Sequence, residues 1–354
     1  MRLVLVLLAC WIILWRPASA VAQLPPGHPS AARAYERAKL DLTAFEQAHG
    51  HYLQTRNVRL HYLTWGNPRN PALVWSHGSF LSAYELLPLA ERFVRAGFYV
   101  VAIDYYGHGL TPLPARPVSL YHVADDIRQL LDHLHVAKAF VGGFSRGGYI
   151  SAAFYDAYPQ RVRGLILEDG GSVASNTAYA RLSPATLAAR AAAFDSVAAS
   201  SPWQVLYPSE QAAFERVYSP ADTTSQFEVL TTIKPTRDGR YAFYPGLLAF
   251  FHLQSGQQFL DLVLRPTKAP LFAASMVEME PQVIFRNLAV PLLILDPYGA
   301  GDENPVEREN QALQRQHPAL ITYRGYLDAP HNIHAARPDQ FFRDVLAFLT
   351  ANTK

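Results

Sequence analysis

The sequence predicts an α/β architecture: a mostly parallel sheet flanked by helices, with a helical cap inserted between late core strands. Three observations predict it. Short apolar strand segments alternate with amphipathic helical ones between residues 57 and 170. One of those strands runs into a glycine-rich turn carrying a serine and then directly into a helix. The alternation stops at about Gly171 and returns after Leu288. Because parallel strands need crossover connections, usually helices, this rhythm implies a sheet covered on both faces. Reactive groups in such sheets gather beyond the carboxyl ends of the strands.

Residues 1–22 read as a secretory signal peptide. Met1-Arg2 precedes thirteen apolar residues, Leu3 to Trp15, and Arg16-Pro17-Ala18-Ser19-Ala20-Val21-Ala22 offers cleavage after Ala20 or Ala22. That run of thirteen falls short of the ~20 residues that span a bilayer, so no stable membrane insertion is expected after cleavage. Cys10, after Leu7-Leu8-Ala9, has the look of a lipoprotein acceptor, but the apolar run continues past it to Trp15. It is the sole cysteine, so the mature chain would carry none; the expected location is secreted or periplasmic, and thiol chemistry is excluded. Losing Arg2 and Arg16 lowers the basic count from 31 to 29, against 29 acidic residues. A near-neutral chain has no field to attract nucleic acid or an anionic membrane.

Residues 23–56 form a linker, Gln23 to Ser30, and an extra N-terminal helix, Ala31 to His49, with Tyr35, Ala38, Leu42 and Phe45 at helical spacing. Residues 57–170 form the first part of the core. An alternating edge strand, Asn57 to Trp65, is followed by an apolar strand, Pro71 to Ser76, that ends at His77-Gly78-Ser79-Phe80. A helix over Tyr84 to Ala96 leads to the strand Phe98 to Asp104 and then Tyr105-Tyr106-Gly107-His108-Gly109. Val118 to Leu134 reads as a helix, Phe140-Val141 as the strand before the serine turn, Tyr149 to Ala157 as the helix after it, and Val162 to Leu167 as the next strand.

Residues 171–288 form the expected cap, with helices over Ser183 to Ser200, Ser209 to Tyr218, Leu247 to His252 and Gln257 to Leu264. Its many aromatic residues make Trp203, Tyr244 and Phe250 candidate substrate contacts, although such rings also serve simply to pack helices. Residues 289–354 complete the core with the strand Val290 to Leu295, a helix near Val306 to Gln316, a strand near Leu320 to Tyr323 and a closing helix from Pro338 to Thr350.

The chemistry centres on Gly143-Phe144-Ser145-Arg146-Gly147, a G-x-S-x-G between strand and helix, which is a nucleophile elbow. A serine hydroxyl needs a histidine to take its proton and a carboxylate to hold the imidazole in the right tautomer. The loop after the late strand offers Asp296, Asp302 and Glu303; Asp302 is chosen because it lies beyond the strand and before a proline-started helix. His331, between the last strand and the last helix, completes the order Ser, Asp, His, with His334 one turn on as the alternative base. The oxyanion would be held by backbone N–H groups of Arg146 and of Ser79 or Phe80, with His77 shaping their loop. His331 and His334 lack a carboxylate at metal-ligand spacing, so neither metal nor cofactor is expected.

These residues resemble the α/β-hydrolase superfamily in its capped esterase and lipase-like branch. The resemblance covers about Val58 to Leu349, with the cap matched least, and rests on His77-Gly78, Asp104 to Gly109, Gly143 to Gly147, Asp302 and His331 to Pro338. Pro330 stands where the family usually has glycine, and the loop reaching Asp302 is about two residues longer than usual. Dehalogenases and epoxide hydrolases of the superfamily use an aspartate nucleophile, and Ser145 argues against both. The resemblance implies a carboxylic ester hydrolase working through an acyl-serine on a small-molecule ester. A proline-releasing aminopeptidase or amidase, with Glu278 or Glu280 holding the free amine, and a lactonase are alternatives, as is a slow-turnover binding protein.

Overall fold

Strands form wherever the chain stays apolar or alternates between turn residues. The computed structural model describes residues 29–200, 202–222, 224–300, 302 and 304–353; the expected signal peptide and most of the linker lie outside them. The strands are β1 (Gly50–Gln54), β2 (Arg59–Trp65), β3 (Ala72–Ser76), β4 (Tyr99–Ile103), β5 (Ala139–Phe144), β6 (Val162–Glu168), β7 (Ile233–Pro235), β8 (Tyr241–Phe243), β9 (Leu292–Tyr298) and β10 (Ile321–Leu327). Eight of them make one sheet in the order β1-β2-β4-β3-β5-β6-β9-β10, while β7 and β8 pair separately. The pairs β1/β2 and β2/β4 are antiparallel, and from β4 through β3, β5, β6 and β9 to β10 every pairing is parallel.

Every residue of β3, β4 and β5 is buried, as strands covered on both faces must be. Successive side chains feed opposite layers: Val74 and Val101 join one hydrophobic cluster, Trp75 and Val100 the other. The first layer is covered by α3 (Leu120–His133) and α4 (Arg146–Ala157), the second by α2 (Leu87–Arg95) and α5 (Pro338–Ala351). Each fully buried side chain of this size contributes about 1.5–3 kcal/mol.

Several elements differ from the sequence reading, among them the β7/β8 pair inside the expected helical cap and β10, which runs on to Leu327; two differences bear on the sheet edge and the site. Asn57 to Trp65 was expected at the sheet edge, yet β1 lies outside it, from Gly50 paired with Leu63 to Gln54 paired with Arg59. β1 is mostly exposed and carries no continuous apolar run, so nothing in its composition marked it as a strand. The second is β9, which extends to Tyr298 and draws Asp296 into the sheet.

The N-terminal helix α1 (Pro29–His49) is a strut. Its Tyr35 hydroxyl donates to Glu210 at 2.8 Å, and Phe45 packs on Phe227 at 5.1 Å and Tyr84 at 5.6 Å. Glu46 accepts from the Tyr84 hydroxyl and from His61 Nε2, while His61 Nδ1 donates to Asp104 at 2.6 Å. Burial pushes the His61 imidazole down, but the hydrogen bond and charge of Asp104, then Glu46, outweigh it and hold it up at about 9. The helix thereby ties the first β-strands to the long insertion between β6 and β9. That insertion holds the helices Pro184–Ser200, Glu210–Val217, Gly256–Leu264 and Leu271–Glu278. Because β6 and β9 pair directly and in parallel, the insertion leaves the sheet at the carboxyl end of β6 and returns at the opposite end to start β9.

Candidate active site

The turn from β5 to α4 holds Ser145 at φ 52°, ψ −119°, a left-handed conformation that costs a non-glycine residue about 1–3 kcal/mol. Tight packing maintains it. The Ser145 N–H donates to the Glu168 carbonyl at 2.8 Å, and the Gly148 N–H donates to the Ser145 carbonyl at 2.9 Å. A β-carbon on Gly147 would sit 1.9 Å from the Ser76 carbonyl oxygen, and one on Gly170 would sit 2.2 Å from the Ser145 carbonyl oxygen. Only glycine lets β3, the elbow and the loop after β6 approach this closely.

Ser145, His331 and Asp169 line one cavity of about 150 Å³, with Ser79, Tyr149, Ser172, Tyr179 and Met276 among its other walls. His331 Nδ1 donates to Asp169 Oδ2. That bond fixes the tautomer and leaves Nε2 as the ring's basic nitrogen. Asp302, the acid expected from the sequence, is not the partner of His331. It lies half-buried in the loop after β9, where its Oδ1 accepts from the Asn304 N–H at 2.9 Å in a local turn. Burial, with the Asp169 charge adding to it, pushes the Asp302 carboxyl up to about 6, although Asn304 and nearby His331 pull the other way. The other rejected acids differ in fate: Asp296 is buried in β9 beneath the Tyr323 hydroxyl, which donates to it at 2.8 Å, and Glu303 lies outside the described residues.

Asp169 escaped the sequence reading because the acid was sought after a late strand. The signal was present in Glu168-Asp169-Gly170-Gly171, an acid at the end of the strand beside the elbow strand, followed by two glycines. β6 neighbours β5, so a side chain just past its end stands next to Ser145 without any long loop. The alternative base, His334, is buried and lies outside the cavity: its Nδ1 donates to Glu168 at 2.7 Å, and its backbone N–H donates to the same carboxylate at 2.8 Å.

The expected oxyanion donors separate into two groups. Arg146 opens α4, where a first-turn N–H has no intrahelical acceptor, and Ser79 lines the cavity. Phe80 does not fit the expectation. Its N–H donates to His108 Nε2 at 3.0 Å, because its backbone, at φ 64°, turns that group toward the neighbouring loop. His77 holds the loop as expected: it is buried, stacked on Tyr105 at 4.1 Å and bonded through Nδ1 to the Gly78 carbonyl at 2.6 Å. Burial brings its imidazole down to about 4, so it is neutral near pH 7. Glu85 supports the same loop by accepting from the Trp75 indole at 2.7 Å and from the Gly78 N–H at 3.3 Å.

The aromatic contacts expected from the insertion are not at the cavity. Tyr244 is buried with its hydroxyl donating to the Leu81 carbonyl at 3.0 Å, and Phe250 stacks on Phe272 at 4.4 Å. Both rings pack the insertion against the core, and neither lines the cavity. The side chain of Trp203 lies outside the described residues. Among the described residues no cluster of His, Asp and Glu is arranged to hold a metal.

Residues 71–261 match the family model of the alpha/beta hydrolase fold, more than half of the chain. The chain belongs to the α/β-hydrolase family. Over 117 residues it is 29% identical to 3-oxoadipate enol-lactonase 2 of Acinetobacter baylyi, covering 32% of this chain and 43% of that one. It is 32% identical over 109 residues to the bifunctional esterase/perhydrolase DCH of Acinetobacter calcoaceticus, covering 30% and 40%. These matches span about two fifths of the curated relatives' length. Among solved structures, a carboxylesterase study of the thaumarchaeon Nitrososphaera gargenis aligns with a TM-score of 0.57 at 16% identity, covering 86% of this hydrolase-fold chain and 99% of that one. An esterase of Thermogutta terrifontis aligns with a TM-score of 0.56 at 19% identity, covering 86% and 99%. At such identities the likeness is one of fold.

Proposed function

We propose that this protein is an exported serine hydrolase that cleaves small carboxylic esters through an acyl-serine. One observation carries the reading: an elbow serine shares a cavity with a histidine whose far nitrogen is bonded to a carboxylate. Ser145 Oγ adds to the ester carbonyl carbon while its proton passes to His331 Nε2, and Asp169 stabilises the imidazolium. The carbon–oxygen bond to the alcohol then breaks, and His331 returns the proton to the departing oxygen. Water adds to the acyl-serine by the same route: its proton goes to His331, the bond to Ser145 breaks, and Ser145 is reprotonated as the acid leaves.

The cavity supports a short acyl group. About 150 Å³ walled by Val173, Ala174, Ala178 and Met276 suits a few carbons, and among the described residues no lysine or arginine side chain lines it to attract a carboxylate. Glu278 and Glu280 are exposed and outside the cavity, so neither is in place to hold a peptide's free amine there. A cyclic ester is the second reading, favoured by the enol-lactonase among the relatives.

A fluorophosphonate probe should label the purified protein rapidly and fail to label Ser145→Ala. Nitrophenyl acetate and butyrate should be hydrolysed faster than the octanoate, and a prolyl anilide should be nearly inert. Absence of labelling would sink the acyl-serine reading, and amide cleavage rivalling ester cleavage would replace the esterase with a peptidase. Export through residues 1–22 is tested separately by the amino terminus of the protein recovered outside the cytoplasm.

A further inference from the structure

Directly behind the elbow, α4 begins with a buried cation. Arg146 is 3% exposed, and none of the described acidic groups pairs with it. Its guanidinium lies over the Phe251 ring at 4.1 Å and 5.6 Å from the Phe272 ring, and one terminal nitrogen, Nη1, is buried without a hydrogen-bond partner. Burial lowers it to about 10, so it remains charged near pH 7. Taking an unpaired guanidinium out of water is costly, and ring faces recover only about 0.5–2 kcal/mol of that. A role in packing alone would be met by methionine or leucine.

Its one directed hydrogen bond points to a further role. Arg146 Nε–H donates to Ser79 Oγ at 2.9 Å. With a lone pair of Oγ occupied by this donor, the Ser79 hydroxyl proton is turned away from the guanidinium, and Ser79 itself lines the cavity that holds Ser145 and His331. The Tyr105 hydroxyl stands beside Ser79 as a competitor for that proton, but it is buried without a hydrogen-bond partner.

We propose that the Ser79 hydroxyl, oriented and polarised by Arg146, is a side-chain donor to the oxyanion, in addition to the backbone N–H groups, which makes Ser79 catalytic and Arg146 a positioning residue. This inference rests on the acyl-serine reading. It assigns the arginine of the elbow a task its backbone N–H does not perform: a fixed positive charge one hydroxyl away from the place where negative charge develops.

The test is a cycle of variants in the full chain, read with nitrophenyl acetate and with phenylboronic acid, whose serine adduct is tetrahedral and anionic. Ser79→Ala keeps the backbone N–H, so kcat should fall about tenfold to a hundredfold with KM within twofold, and phenylboronic acid should bind more weakly by a similar factor. Arg146→Met should lower kcat in the same way, yet change it less than twofold when Ser79 is already alanine. Where Arg146→Met does not fold, Arg146→Lys keeps the charge without the Nε–H fork and should show the same dependence on Ser79. Tyr105→Phe should leave kcat within twofold. Wild-type-like kcat and boronate affinity in Ser79→Ala, or equal losses from the arginine variants in both backgrounds, would overturn the inference while the esterase reading stands. A wild-type protein that neither labels with fluorophosphonate nor turns over esters would overturn both.

Discussion

Two histidine–carboxylate pairs stand side by side at the end of β6, built from adjacent acids and from histidines three residues apart. Asp169 holds His331, and Glu168 holds His334. Phe144, the residue before the elbow serine, touches both rings, at 4.7 Å and 5.4 Å. The chemistry of the two pairs is nearly the same; their access is not. The His331 and Asp169 side chains are 14% and 8% exposed and open on the cavity, whereas those of His334 and Glu168 are 3% and 0% exposed and lie among Trp75 and Phe341. Strand geometry causes the split, since consecutive residues leaving a strand point to different sides. A carboxylate-bound imidazole therefore acts as a base only where its second nitrogen meets a nucleophile; the same pair one residue back is an anchor.

Exchanging the two histidines for alanine breaks this comparison most sharply. His331→Ala should lose about 10³-fold or more in kcat/KM for nitrophenyl acetate while its melting temperature stays near that of wild type. His334→Ala should do the reverse. It leaves Glu168 buried without its imidazole partner, held only by the backbone N–H of residue 334, a loss of up to about 3–5 kcal/mol in unfolding free energy, with turnover per folded molecule largely retained. Burial pushes the His334 imidazole down, but the charge and hydrogen bond of Glu168, with Glu85 adding, outweigh it and raise it, consistent with an ion pair. Measured side by side by steady-state kinetics and denaturant unfolding, matching profiles for the two variants would dissolve the distinction.

The acids give the next effect. Asp169→Asn should lower kcat by about 10³ to 10⁴, because the amide no longer selects the tautomer that keeps Nε2 basic. If Asp302→Asn caused the larger loss instead, the bond seen between His331 and Asp169 would not be the one that operates in turnover.

How much of this was legible in the sequence follows from where each signal resides. The elbow could be read because backbone chemistry demands glycine at fixed offsets from Ser145, and the parallel core because β4 is apolar throughout and β3 is apolar up to its last residue, Ser76. The order of parts along the chain pointed to His331, which the structure brings to the cavity of Ser145. Asp169 was harder, since whether an acid after β6 or after β9 reaches the histidine depends on loop paths in three dimensions. The Phe80 amide was misassigned for a similar reason: its direction is set by a φ of 64° that no composition reveals. The aromatic residues of the insertion looked like substrate contacts because packing rings and binding rings are the same residues; Phe250 against Phe272 is a packing ring.

Asp302 provides the smallest and most selective test. Its carboxyl is raised from an ordinary 3.8 to about 6, chiefly by burial and in part by the charge of Asp169. The folded state thus binds this proton more tightly than the unfolded chain does. Its contribution to stability is neutral to favourable below the unfolded value and turns unfavourable as pH rises through 4 to about 6. Asp302→Asn removes the charge and keeps the shape, so it should unfold at a slightly higher temperature than wild type at pH 8, with the gap closing below about pH 4. Activity should change by less than about fivefold at any pH, the scale of a partly solvated charge acting across a loop. A variant less stable than wild type at pH 8 would mean that Asp302 is held by a favourable partner in its ionised form, and His331 would then be shared between two acids rather than held by one.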